Sequence, residues 1–387
     1  MFKKLLLLLI VISLVGCKST SDLASLRSAK KLIKQINSDD TDLFTIAEQA
    51  VKTSELIQHD INNIKSLLDE LREHIGEVWG ESKPQVPNNK KLVKYTNNYK
   101  ARAIVDFEKG TILIETLADS SQAKTLNNLQ HAIVTTLLST SDPRKTDIFS
   151  SDAPQLSGKP YLYQQVVDRD NKPIQYPWRA NRFSQYLTEF KLQKYNKNQK
   201  QIYAVSIKMV EKHQHLREEK YSSYVLAAAK RYQISPQLIY AIIETESSFN
   251  PFAVSTANAY GLMQVVPKTA GADVFQRIKK IKGSPTKRQL FDPAYNIDIG
   301  SAYLYILNNN YLKGVTNSTS RHYSIISAYN GGAGNVLKTF HGNRKTALKV
   351  LNTKSSKDVY YLLTNKHPKT ESRHYLKKVT KAEKTYL

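Results

Sequence analysis

A glutamate near the end of an apolar helix has the residue type and the placement of a catalytic acid. Pro236 after a serine predicts the start of this helix, because a hydroxyl caps the first turn and proline fits within it. Pro251 predicts its end, because the residue before a proline avoids helical backbone. At about 100° per residue, Glu246 continues the apolar stripe that contains Ile242, whereas Glu244 is expected on the solvent side.

Two effects are expected to raise the pKa of the Glu246 carboxyl at such a position. Burial disfavours the charged form, and the negative end of the helix dipole increases the proton affinity further. A general acid needs this environment, because it must hold its proton near neutral pH. A glutamate at the solvent-exposed rim of the helix is the alternative that this helix alone leaves open.

Several motifs follow one another in a fixed order from this glutamate onward. They are Glu246-Ser247-Ser248-Phe249-Asn250-Pro251, then Ala253-Val254-Ser255, a Gly-Leu-Met-Gln segment within 260–267, an Ala-Tyr-Asn-Gly-Gly segment within 327–334, and Glu371-Ser372-Arg373-His374-Tyr375. Together they resemble the signature of lytic transglycosylases with a lysozyme-like fold, over residues 217–380. The preceding chain resembles a membrane-bound subgroup of that family.

This resemblance implies an enzyme that cuts peptidoglycan in a glycan-binding cleft of a helical domain. It implies that Glu246 protonates the bond between N-acetylmuramic acid and N-acetylglucosamine. The same carboxylate then acts as a base toward the muramic C6 hydroxyl, which attacks C1 and leaves a 1,6-anhydromuramyl end. Cleavage from strand ends and cleavage within strands both stay open.

The matched motifs also contain the residues that we expect to bind substrate. These are Ser255, Met263, Gln264, Tyr329, Asn330 and Tyr375. Amides suit N-acetyl groups, and a tyrosine hydroxyl can donate a hydrogen bond to Glu246 or to the sugar. Each position has a structural alternative: helix capping for the serine, core packing for the methionine and tyrosines, and loop fastening for the amides.

Ordinary glycosidases use a second carboxylate as the nucleophile or to activate water. We assign no second acid to this site, since Asp273, Asp292 and Asp298 lie outside the motifs and are predicted to be turn or cap residues. A sugar hydroxyl held close to C1 removes the need for one, because its effective concentration is high. The pattern therefore favours transglycosylation over a hydrolytic muramidase. A non-catalytic peptidoglycan-binding lipoprotein is the second alternative.

The first residues have the composition of an export signal. Two lysines precede an apolar run at residues 5–12, which is too short to span a membrane as a helix. The Leu-Val-Gly-Cys sequence at 14–17 resembles the bacterial lipobox, which implies cleavage before Cys17 and acylation of this only cysteine. Lys18 then implies sorting to the outer membrane, facing the periplasm. We therefore expect a signal peptide at 1–16 and a lipidated tether at 17–45.

The remaining chain predicts an α+β protein with two domains. A small mixed α/β N-terminal domain at 46–210 is followed by an all-helical, lysozyme-like catalytic domain of the goose type at 216–387. Within the first domain, the spacing of apolar residues predicts helices at 44–79, 126–138 and 183–190, a β-hairpin with strands 101–107 and 111–115, and strands at 162–167 and 202–210.

The formal net charge of +24 favours anionic partners without choosing a fold. Nucleic acid conflicts with export, and the chain has no recognised nucleic-acid motif. The expected partners are therefore peptidoglycan strands and, through the anchor, the outer membrane. A phosphate-binding glycine loop and a zinc-like Cys/His cluster are absent from the sequence, so we expect no cofactor and no metal. The oligomeric state stays open.

Overall fold

The computed structural model describes residues 64–386, which form two compact units. The first unit holds the described residues up to His213 together with Val254–Asn258, and the second holds Gln214–Ala253 and the described residues from Ala259 onward. The predicted signal peptide, Cys17, the tether and the first part of the predicted helix at 44–79 lie outside the described residues. Within 64–386, no helix combines the length and the apolar character that crossing a membrane requires.

The first unit is built on a five-stranded antiparallel sheet in the order β1-β2-β3-β5-β4. Its elements are α1 (Ile64–Trp79), β1 (Lys91–Thr96), β2 (Ala101–Asp106), β3 (Thr111–Leu117), α2 (Gln122–Leu138), α3 (Pro177–Phe190), β4 (Gln193–Lys197) and β5 (Lys200–Lys208). Ser121 caps α2, accepting a hydrogen bond from the backbone N–H of Lys124. Helix α2 packs against the sheet, and α3 packs against α2.

Most predicted elements of this unit are confirmed, and one is wrong. The hairpin, the strand at 202–210 and the three helices, where described, are present. Residues 162–167 do not form the predicted strand, because the backbone N–H groups of Gln165 and Val166 both bond the Leu162 carbonyl in a local turn. Strands β1 and β4 were not predicted.

A buried ion cluster holds the centre of this sheet. Arg102 is 2% exposed, and its guanidinium donates to both carboxylate oxygens of Glu81 at 3.0 and 3.1 Å and to Glu115 at 2.6 Å. The same guanidinium lies 3.9 Å from the ring centre of Trp79. Every charge in this cluster is therefore paired, as buried charges require.

The second unit is helical, as predicted. Its main helices are α4 (His213–Tyr232), α5 (Pro236–Ser247), α6 (Ala272–Val274), α7 (Lys287–Leu290), α8 (Pro293–Ile306), α9 (Ser318–Gly331), α10 (Ala333–Lys338), α11 (Arg344–Asn352), α12 (Ser356–Asn365) and α13 (Thr370–Glu383). Helix α6 lies between two single wide turns, Pro267–Gly271 and Phe275–Lys279. Helix α13 packs against α5, α9 and α12, so that elements far apart in sequence meet around α5.

Candidate active site

Helix α5 begins and ends where the sequence predicts. The Ser235 hydroxyl accepts a hydrogen bond from the backbone N–H of Leu238 at 3.4 Å, and Pro236 occupies the first turn. The apolar stripe is confirmed, since Ile239 and Ile242 are fully buried. This burial fixes the rotation of α5 and hence the side from which Glu246 projects.

The residues after Glu246 form a sharp turn that ties the end of α5 to a neighbouring loop. Ser248 and Phe249 both adopt left-handed backbone, with φ of 49° and 60°. Such backbone is costly for residues with a side chain and persists only where surrounding contacts hold it. The hydroxyl of the fully buried Ser247 donates to the Leu262 carbonyl at 2.7 Å, and the Asn250 side chain accepts from the Phe252 N–H at 3.0 Å.

Glu246 itself is half-buried, between the core and the solvent. Part of this residue is therefore accessible from the solvent. Glu244 is also half-buried, so the prediction that it lies on the solvent side is wrong. The Tyr386 hydroxyl at the C-terminus covers it and donates to its carboxylate at 2.8 Å.

The Gly-Leu-Met-Gln segment is a tight loop held by one buried side chain, Asn296 of α8. Its amide oxygen accepts from the Met263 N–H at 2.8 Å, and its amide nitrogen donates to the carbonyls of Tyr260 and Leu290 at 2.8 and 2.9 Å. Gly261 has φ of 72°, and a side chain there would collide with the Asn296 amide. Sequence reasoning missed Asn296, although a buried amide within an otherwise apolar helix is a detectable signal.

Met263 and Gln264 lie within this loop. The Met263 side chain is fully buried and lies against Gly300 of α8. Gln264 has left-handed backbone, with φ of 47°, and its amide donates to the Gly261 carbonyl at 3.0 Å. Both side chains therefore fasten the loop in this structure, and their contact with substrate stays a prediction.

Two tyrosines from different helices approach Glu246. Tyr329 of α9 donates its hydroxyl to the Met263 carbonyl at 2.8 Å. Burial raises the pKa of Tyr329 well above its usual value, and the negative charge of Glu246 raises it further.

Tyr375 of α13 is buried, and its hydroxyl interacts with the Glu246 carboxylate without completing a hydrogen bond of regular geometry to any described residue. Burial is the main cause that raises the pKa of Tyr375 well above its usual value, followed by the charge of Glu246. Because burial and the Glu246 charge both disfavour the phenolate, Tyr375 is neutral and its hydroxyl faces the Glu246 carboxylate.

Asn330 links α9 to the first turn of α13. Its amide nitrogen donates to the Glu371 carboxylate at 3.2 Å, and its amide oxygen accepts from the Ser372 hydroxyl at 2.6 Å. Gly331 makes this approach possible, because a side chain there would collide with Ser372 and His367. The Ala-Tyr-Asn-Gly-Gly segment and the last motif are thus joined directly.

Ser255 is grouped with the first unit, as part of Val254–Asn258. Its hydroxyl accepts from the Ala257 N–H at 3.3 Å, which is a local turn bond. The predicted contact of Ser255 with substrate stays a prediction.

The three aspartates outside the motifs have different positions. Asp292 caps α8, as predicted, by accepting from the Tyr295 N–H at 2.9 Å. The prediction is wrong for the other two. Asp298 lies inside α8 with Lys279 at 2.8 Å and Arg231 at 2.5 Å, and Asp273 accepts from the Tyr311 hydroxyl at 2.8 Å. Within 64–386, no cluster of three or more His, Cys, Asp or Glu side chains suits a metal ion.

Two known protein families match consecutive parts of this chain. Residues 57–220 match the family described as "Membrane-bound lytic murein transglycosylase C, N-terminal domain", and residues 223–352 match "Transglycosylase SLT domain". The helical unit is therefore that of an SLT-type transglycosylase.

Curated relatives identify the family more narrowly. Membrane-bound lytic murein transglycosylase C of Serratia proteamaculans is 45% identical over 87% of this chain and 93% of its own length. The protein of the same name from Yersinia pestis is 44% identical over 86% of this chain and 92% of its own length. The chain therefore belongs to the membrane-bound lytic murein transglycosylase C family.

Proposed function

We propose that this chain is a peptidoglycan lytic transglycosylase in which Glu246 is the single catalytic acid and base. The observation that carries the proposal is the convergence of Tyr329 and Tyr375 on a half-buried Glu246 at the end of α5. Membership of the family supports the reaction type.

The reaction needs two proton transfers through one carboxyl group. The protonated Glu246 gives its proton to the glycosidic oxygen as the bond to C1 of N-acetylmuramic acid breaks. The C6 hydroxyl of the same sugar then forms a bond to C1, and its proton passes to the Glu246 carboxylate. The products are a free N-acetylglucosamine 4-hydroxyl and a 1,6-anhydromuramyl end, and no water is consumed.

The other acids of the helical unit have hydrogen-bond or ion-pair partners. This supports a reaction in which a sugar hydroxyl is the nucleophile over the reaction of a hydrolytic muramidase. A retaining or inverting hydrolase needs a second carboxylate across the scissile bond. In the described part of the helical unit, the Glu244 carboxylate accepts from Tyr386, the Glu371 carboxylate accepts from Asn330, and Asp298 is paired with two cations. Each of these carboxylates already has a partner of its own.

The two tyrosines have distinct proposed roles. Tyr375 faces Glu246 with a hydroxyl that has no other partner within the described chain, so it is placed to stabilise the carboxylate left after proton donation. Tyr329 holds the Met263 carbonyl and thereby positions the loop beside the acid. Ser255, Met263, Gln264 and Asn330 are proposed to complete the glycan site.

The membrane attachment is proposed from the N-terminal sequence. Cys17 is acylated after removal of residues 1–16, and the chain is held at the outer membrane with its enzyme facing the periplasm. The name of the curated relatives supports membrane association. We propose residues 46–210 as the N-terminal domain and 216–387 as the catalytic domain, so that in the sequence the N-terminal domain lies between the anchor and the catalytic domain.

A matched pair of variants on α5 tests the role of Glu246. We expect Glu246→Gln to retain the wild-type free energy of unfolding while the cleavage of purified sacculi falls by about 10²–10⁴-fold, the usual contribution of a general acid. The control is Glu244→Gln, which removes the same charge two residues away. Cleavage by Glu246→Gln at the rate of Glu244→Gln would remove Glu246 from the proposed role.

A further inference from the structure

The last fifty residues of this chain carry a large share of its net positive charge. Residues 338–387 contain thirteen Lys and Arg against three Asp and Glu, so this segment carries +10 of the total formal charge of +24. Like charges this close repel one another, which opposes the compact fold. This repulsion destabilises the folded state, and a bound ligand of opposite charge would reduce it.

Helix α13 presents lysines on one side only. At about 100° per residue, Lys377, Lys381 and Lys378 span an arc of about 100°, and all three are exposed. Lys384, directly after the helix, continues the same row. The buried side of α13 carries Tyr375, and Glu383 also lies away from the lysine arc, where it pairs with His322 at 2.9 Å. We call the four lysines the α13 lysine face.

No carboxylate within residues 64–386 neutralises these lysines. Among the described residues, none of the four forms an ion pair within 4.0 Å. Lys377 and Lys381 stand four residues apart on the helix, a spacing at which like charges destabilise it. In the first unit, by contrast, Lys91, Lys124 and Lys197 each pair with an acid.

The chemistry of this face suits a diffuse anionic surface. An ammonium group is a compact, hydrated point charge without the planar fork by which arginine grips a single carboxylate or phosphate. The arginine on this helix is occupied, since Arg373 donates to the His367 carbonyl. On the adjacent helix α12, Tyr361 is 59% exposed, and an exposed tyrosine is a side chain that settles at the headgroup level of a bilayer.

We infer that the α13 lysine face docks the helical unit onto a membrane surface rich in anionic phospholipid headgroups. Juxtamembrane lysines are attracted to such surfaces with an energy that adds from one lysine to the next. Because Tyr375 is buried whereas the four lysines are exposed, the docked face and the glycan site use different sides of one helix. The inference needs neither the catalytic role of Glu246 nor the lipid anchor.

The test uses the full chain as the Cys17→Ala variant, which cannot be acylated, and measures its cosedimentation with vesicles. We expect binding to phosphatidylcholine vesicles containing phosphatidylglycerol to be at least about tenfold tighter than to phosphatidylcholine alone. This difference should vanish at high salt, because screening weakens attraction between exposed charges. The apolar run at residues 5–12 is present in both measurements and cancels from the comparison.

Two variants, each with four lysines changed to glutamine, test which part of the chain binds the vesicles. Lys377→Gln, Lys378→Gln, Lys381→Gln and Lys384→Gln together should abolish the preference for phosphatidylglycerol. The matched control changes four exposed lysines of the first unit to glutamine: Lys191, Lys200, Lys208 and Lys212. It should keep the preference, and both variants should keep the circular dichroism spectrum and the glycan cleavage of the parent chain.

Three outcomes would overturn the inference. They are equal binding to both vesicle compositions, equal losses in the two quadruple variants, and a loss of binding to purified sacculi in the α13 variant while vesicle binding persists. The last result would assign the face to the wall polymer. A failure of glycan cleavage in the parent chain would count against the proposed enzyme activity alone, since vesicle binding is measured separately.

Discussion

Two buried polar sites, one in each unit, differ in how completely their groups are paired. In the first unit, Arg102 is completely surrounded by partners, with two carboxylates and an aromatic ring. In the second unit, the buried hydroxyl of Tyr375 and the buried Nε2 of His367 complete no hydrogen bond of regular geometry to any described residue. A cluster whose groups are all hydrogen-bonded stabilises the folded state. Buried groups without hydrogen bonds destabilise it, and they occur where a functional site requires them. The difference separates a cluster that stabilises the sheet from the candidate active site.

The largest stability effect is expected from the paired cluster. Arg102→Ala should lower the free energy of unfolding of the first unit by about 3–5 kcal/mol, because it leaves the buried Glu115 carboxylate without a cation and the buried Glu81 carboxylate with Lys197 alone. Urea denaturation followed by tryptophan fluorescence measures this loss. Arg72→Ala is the control, since its exposed pair with Asp69 is worth at most about 1 kcal/mol. Similar losses in both variants would contradict the structural role of the cluster.

The next effect concerns Asn296, the buried side chain that holds the Gly-Leu-Met-Gln loop. Asn296→Ala leaves three backbone groups without their hydrogen bonds, so we expect a loss of about 3 kcal/mol in the free energy of unfolding. Because the loop supports Tyr329 through the Met263 carbonyl, cleavage should also fall under conditions where the variant is fully folded. Wild-type stability together with wild-type cleavage would show that the loop does not depend on this residue.

Tyr375→Phe should separate activity from stability. Within the described chain this buried hydroxyl completes no hydrogen bond of regular geometry, so its removal should change the free energy of unfolding by no more than about 1 kcal/mol. Cleavage should fall by about 10–100-fold, the equivalent of one hydrogen bond to a charged group. Tyr360→Phe, whose hydroxyl lies 3.5 Å from that of Thr380, is the control and should cleave normally. Unchanged kcat in Tyr375→Phe would confine this tyrosine to packing.

The smallest effect is a pH dependence from His367. Burial is the main cause that lowers the pKa of His367, and the charges of Arg373 and Lys369 lower it further. The unfolded chain therefore takes up this proton first, and the free energy of unfolding should decline as pH falls below about 6.5, the usual value for histidine. The stability is complete above that pH. Urea denaturation at a series of pH values should show a weaker decline in His367→Asn than in the wild type, and equal declines would contradict it.

The sequence predicts the catalytic segment better than the sheet. Helix α5 carries local signals at both ends, a serine cap with proline and an asparagine before proline, and these fix its bounds. Strand β1 lacks a comparable signal, because Lys94 interrupts its apolar pattern and yet is buried, donating to the carbonyls of Asp147 and Ser150. Strand β4 is exposed along its whole length, so burial leaves no pattern in its sequence.

Within the candidate site, motifs predict which segments meet but not how. The joining of Asn330 to Ser372 spans 42 positions, and the bond from Asn296 to Met263 spans 33. No local periodicity encodes such pairs, since they depend on tertiary packing. For the same reason the sequence placed Glu244 in solvent, where the C-terminal Tyr386 in fact covers it.

The central claim is that a sugar hydroxyl, and not water, completes the reaction begun by Glu246. The most direct measurement is mass spectrometry of the glycan ends that are released when purified sacculi are digested in ¹⁸O-labelled water. The Glu246→Gln variant is the blank. We expect wild-type products to carry 1,6-anhydromuramyl ends without the heavy isotope. Reducing ends that contain ¹⁸O as the main product would contradict the claim and identify a hydrolase.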